Sequence, residues 1–114
     1  KEELRDYEAR FKNAQLRYFI GEYKWAESQL KVLKAATSKL IANDAMTLSL
    51  VIKDNLEVDT TGVELNRLAH ADYKIYQQRE DEALALLDEI IANGNEISRP
   101  HALFRKGEIA EQRK

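Results

Sequence analysis

Apolar residues recur at helical spacing along nearly the whole chain. Leu4, Tyr7, Phe11, Ala14 and Tyr18 follow one another at intervals of 3, 4, 3 and 4, one stripe on a helix spanning 2–20. Gly21 ends that helix, because glycine takes the left-handed conformation of a helix C-terminus without a Cβ penalty. Ala26, Leu30, Leu33 and Ala36 make a second stripe from about Tyr23 to Thr37, with Trp25 beside it. The break between the two is so short that they must form an antiparallel hairpin, 2–37. Asn43 offers a cap for a third helix over 44–56, lined by Ala45, Leu48, Val51, Ile52 and Leu56. Thr61 followed by Glu64 has the spacing of a capping box and opens a fourth helix, with Leu65, Leu68, Ala71 and Ile75 inward. A fifth begins near Arg79, with Glu80, Asp81 and Glu82 at the positive end of its dipole. Ala83, Leu84, Leu87, Ile90 and Ile91 form its inward face, and Asn93-Gly94 stops it, closing a second hairpin, 61–93. Ser98 caps a sixth helix over 98–114, with Pro100 in its first turn and Leu103, Phe104, Gly107 and Ala110 along it. The pattern predicts an all-α chain of six antiparallel helices.

Composition agrees. One proline and four glycines in 114 residues favour long helices over a turn-rich β fold. Lys and Arg number 18 against 20 Asp and Glu, a balance that argues against a nucleic-acid binder. The longest apolar run, Leu48–Ile52, stops at Lys53, far short of a membrane span, so no direct membrane insertion is expected. The absence of cysteine excludes a disulfide framework. Both ends read as mid-helix, which leads to the expectation that the chain is part of a longer protein.

The stretches GEYKWAESQLKVL (21–33) and QREDEALALLDEI (78–90) lie 57 residues apart and match in register. Ala14 falls on Ala71, Tyr18 on Ile75, Ala26 on Ala83, Leu30 on Leu87 and Leu33 on Ile90. A further step of 36 sets Leu68 on Phe104, Ala71 on Gly107 and Tyr73 on Ile109. The pattern small-x6-Gly-x-Tyr-x2-Ala-x3-Leu-x2-Leu, carried by Ala14, Gly21, Tyr23, Ala26, Leu30 and Leu33, resembles the tetratricopeptide repeat. The resemblance covers 8–38, 65–95 and the single helix 99–114, with Gln78 and Glu80 in place of Gly and Tyr in the second copy. It implies TPR-like helical hairpins, a fragment of a right-handed α-α superhelix or solenoid. The spacing departs from the family: 57 is one repeat of 34 plus 23 residues, room for the extra helix 44–56. The segment ATSKLIANDAMTLSLVIKDN also resembles stretches of bacterial repeat proteins of the cell envelope, which implies an envelope or periplasmic location, with the cytoplasm as the alternative.

Catalytic chemistry finds little to stand on. His70 and His101 lack a Glu three residues before them and belong to no HExxH, so neither metal nor other cofactor is expected. The serines follow no nucleophile elbow and the four glycines form no phosphate loop. Lys24, Lys31 and Lys34 share one face of the second helix, either a contact for an acidic partner or a solvated surface. The expectation is a non-catalytic scaffold that binds a protein or peptide, or neighbouring repeats of the same chain. A structural spacer or self-association module is the alternative, and an accessory segment of an enzyme with its active site elsewhere a minor one. The family resemblance implies a groove lined by the first helix of each hairpin. Residues offset from the packing stripes would face it: Lys12, Gln15 and Phe19; Ala69, Asp72 and Tyr76; Arg105, Glu108 and Gln112.

Overall fold

The computed structural model describes residues 2–114, with side chains from Leu4 onward. Six helices follow one another: α1 (Glu2–Phe19), α2 (Tyr23–Leu33), α3 (Lys39–Val58), α4 (Val63–Tyr76), α5 (Glu80–Asn93) and α6 (Ser98–Gln112). No strand occurs among the described residues. The all-α, six-helix expectation therefore holds. The chain divides into two units, Lys1–Lys53 and Asp54–Lys114, and the division falls within α3.

In the first unit α1 packs on α2. Ala14 and Tyr18 on α1 and Ala26, Leu30 and Leu33 on α2 are buried, while Leu4, which the sequence stripe placed inward, is exposed. α3 buries Ile41, Ala45, Leu48, Val51 and Ile52. That helix begins a turn earlier than its sequence suggested. Ser38 opens it, its carbonyl accepting from the Ala42 N–H at 3.0 Å and its hydroxyl from the Ile41 N–H at 3.5 Å. Asn43 is not a cap but an exposed helix-interior residue, whose carbonyl accepts from the Thr47 hydroxyl at 2.9 Å.

In the second unit α5 packs on both α4 and α6, and α4 also meets α6. Ala83, Leu87 and Ile90 are buried on α5, as are Leu65, Leu68, Ala69 and Ala71 on α4. The capping box at Thr61 and Glu64 does not form. Asp59 takes its place, accepting from the Thr61 N–H at 3.1 Å and the Glu64 N–H at 3.2 Å. The Thr61 hydroxyl, which also donates to it, and then those backbone bonds hold the Asp59 carboxyl below the usual carboxylate range. Ser98 is likewise not the N-cap of α6. Asn95 caps it, its side-chain oxygen accepting from the Ile97 and Ser98 N–H groups at 2.9 and 2.8 Å. Gly94 stops α5, but with φ −77° rather than a left-handed φ. Glycine is required there by space, since a Cβ would meet the Ile90 carbonyl and sit 2.5 Å from the Ser98 hydroxyl.

The two hairpin turns are the same turn. Gly21 has φ 86° and Gln78 has φ 62°. The Gly21 N–H donates to Tyr18 and the Glu22 N–H to Arg17, at 3.1 and 2.8 Å. The Gln78 N–H donates to Ile75 and the Arg79 N–H to Lys74, both at 2.9 Å. Each pair is a Schellman closure. Glu22 and Arg79 then adopt matching backbone angles, φ −88° ψ 69° and φ −98° ψ 64°, before α2 and α5 begin. The buried triplets Ala26, Leu30, Leu33 and Ala83, Leu87, Ile90 follow in the same register.

The third copy falls differently. α6 buries Ser98, Ala102 and Ile109, whereas Leu103 and Phe104 are 55% and 63% exposed and Gly107 and Ala110 also face outward. A step of 34 residues, not 36, sets buried Leu68 on buried Ala102 and Ile75 on Ile109. The large residues that suggested the step of 36 lie on the outer face of α6.

Candidate interaction surfaces

Each unit presents its own surface. On α1, Lys12 is exposed, while Gln15 and Phe19 are half-buried. The Phe19 ring tilts against Tyr18 at 5.7 Å between centroids, and Tyr18 lies 6.2 Å from Tyr23. Burial in this aromatic cluster pushes the Tyr23 hydroxyl up to about 12. Trp25 is half exposed, and the Arg17 guanidinium lies over its ring at 5.3 Å. Arg17 also pairs with Glu22 at 2.9 Å, so the turn of the first hairpin carries a salt-bridged, stacked cap.

In the second unit the expected residues separate. Ala69 is 1% exposed and offers no surface to a partner; its small side chain is part of the packing of α4. Asp72 and Arg105 meet each other at 2.8 Å, with side chains only 12% and 17% exposed. They tie α4 to α6 rather than facing outward. Tyr76, Glu108 and Gln112 are exposed. The face inferred from the repeat therefore reduces to Lys12, Gln15 and Phe19 on the first unit and Tyr76, Glu108 and Gln112 on the second.

A ladder of polar ties runs along α6, absent from the sequence reading. The Ser98 hydroxyl donates to the Glu64 carboxylate at 2.7 Å and accepts from the Asn95 N–H at 3.0 Å. Arg105 follows on Asp72, and Arg113 on Glu80 and Asp81, each at 3.0 Å. Residues 98, 105 and 113 recur at helical spacing on one face of α6. The ladder turns Ala102 and Ile109 inward and leaves Leu103, Phe104, Gly107 and Ala110 outside. His101 is half-buried beside it. Burial and the Arg105 charge hold its pKa below the usual histidine value, opposed by Asp54 and Asp72.

Among the described residues no group of three or more His, Asp or Glu side chains could hold a metal ion, and no helix is long and apolar enough to cross a membrane. His70 is exposed on α4. No family model matches the chain, and no curated protein or solved structure matches it either.

Proposed function

We propose that the chain is a non-catalytic scaffold of tetratricopeptide type that binds a protein or peptide segment. The observation that carries this reading is the hairpin made twice, with the same Schellman turn, the same entry angles and the same buried triplet 57 residues apart. Repetition of a packing unit with unlike exposed residues is how helical repeats build preformed surfaces. Such a surface binds an extended segment with little ordering cost on its own side. Phe19 and Tyr76 are the aromatic members of the two surfaces. Alanine at both should weaken a partner purified with the protein about tenfold or more, with the circular dichroism spectrum unchanged. Unchanged affinity would remove the assignment of these surfaces.

The outer stripe of α6 favours a second reading. Leu103, Phe104, Gly107 and Ala110 form an exposed apolar face on α6. A self-association module would use such a face. Sedimentation that shows a monomer at every concentration would exclude it.

A further inference from the structure

The lysines of α2 acquire a fourth member from α3. Lys53 lies 3.8 Å from Glu27, and its charge acts on the Lys34 amine. Partial burial, together with Lys53, holds the Lys34 amine below the usual lysine range. Glu27 is the single carboxylate within ion-pair distance of these amines among the described residues; Lys24, Lys31 and Lys34 have none within 4 Å. The Lys34 and Lys53 charges repel each other, Glu27 offsets them only in part, and an incoming carboxylate would relieve that repulsion. Met46 and Leu50 precede Lys53 at helical spacing on α3, and both side chains are about half exposed. The face is thus basic on α2 and apolar on α3, with Lys53 joining the two.

The charge distribution narrows the occupant. Residues 23–53 carry five lysines and two carboxylates, whereas residues 54–114 carry eight basic and thirteen acidic residues. The chain as a whole carries 18 basic against 20 acidic residues, without the basic excess that binders of a long polyanion such as nucleic acid usually show. Many of the acidic side chains in 54–114 are already engaged: Glu64 with Arg67, Asp72 with Arg105, Glu80 and Asp81 with Arg113, Glu82 with Lys74 and Arg79, Asp88 with Lys106, and Glu111 with Lys114. A second copy would therefore have fewer carboxylates to supply from 54–114, Glu57, Glu89 and Glu96 being the exposed ones there outside these pairs and that of Glu108 with Arg105. We infer that this face of α2 and α3 binds a short acidic segment of a partner protein, with Lys31, Lys34 and Lys53 meeting its carboxylates and Met46 and Leu50 its apolar side chains. The inference rests on the scaffold reading and names its partner chemistry.

The test uses a fluorescent peptide alternating Glu and Leu, measured by anisotropy at low salt against the full chain. Glu/Ser and Lys/Leu peptides serve as comparisons. The Glu/Leu peptide should bind more tightly than either. K31E/K34E/K53E should weaken it about tenfold or more and gain binding of the Lys/Leu peptide. M46S/L50S should weaken the Glu/Leu peptide and leave the Glu/Ser peptide unchanged. Circular dichroism verifies that both variants fold. Equal binding of Glu/Leu by wild type and triple variant overturns the inference, as does equal binding of the Glu/Ser and Glu/Leu peptides. Tighter binding of a thymidine oligonucleotide overturns it in favour of nucleic acid. Self-association abolished by the triple variant overturns it in favour of a second copy. If the Glu/Leu peptide fails while alanine at Phe19 and Tyr76 still weakens a purified partner, only this site falls and the scaffold reading stands.

Discussion

Replacing Gln78 by glycine should stabilise the protein. Gln78 is the one non-glycine residue with positive φ among those described, at 62°. Its Cβ opposes the left-handed conformation by about 1–2 kcal/mol. Glycine removes that cost but gains freedom in the unfolded chain, which returns about 0.4–1 kcal/mol. The difference is a net gain of about 0.5–1 kcal/mol, or a midpoint shift of roughly 2–6 °C for a domain of this size. Gln77 provides the control. It sits next door with φ −79°, where glycine brings only the entropic loss, so Gln77→Gly should destabilise. The reciprocal change Gly21→Ala, at φ 86°, should cost about 1 kcal/mol. Urea unfolding followed by circular dichroism at the helical minimum measures all three. A neutral or destabilising Gln78→Gly, equal to Gln77→Gly, would refute the claim that both hairpins close through the same left-handed turn.

The ladder on α6 gives the remaining predictions. Ser98→Ala removes a buried hydroxyl that donates to Glu64 and accepts from Asn95, and should cost about 2–3 kcal/mol in urea unfolding. Arg105→Ala and Asp72→Ala should each destabilise by about 1–3 kcal/mol, and the double variant by less than their sum, as a double-mutant cycle would record. His101 binds its proton less tightly folded than unfolded, so the unfolded chain takes up more protons in the window just below the ordinary histidine pKa. Stability should therefore fall as pH drops through that window and level off above it, and His101→Gln should flatten this slope.

The hairpins were legible because their apolar stripes repeat at the helical period and Gly21 marks the turn. Gln78 hid the second turn, since a glutamine does not announce a left-handed φ, yet the flanking residues held the register. The helix starts were harder. Ser38 and Asn43 are both good caps, and nothing local says which one the chain uses. At α4 the carboxylate of Asp59 reaches past Thr61 to the Glu64 N–H, which frees the Glu64 side chain for Ser98. That long-range bond, with Asp72–Arg105, sets which way α6 faces. The repeat register set Phe104 on buried Leu68, and the family resemblance implied a binding face that included Asp72, Arg105 and Ala69. The convergence of Lys53 with Lys34 was equally beyond reach, because it joins two helices that share no sequence pattern.

The most direct test of the scaffold claim is photo-crosslinking in the protein's own cells. A photoreactive phenylalanine would be placed in turn at Lys12, Phe19, Lys31, Tyr76 and Gln112, with Ala85, exposed on α5 and outside the assigned residues, as the control. The account predicts covalent adducts with another polypeptide from several of the first five positions and none from Ala85. No adduct from any of the five, or equal labelling from Ala85, would contradict it.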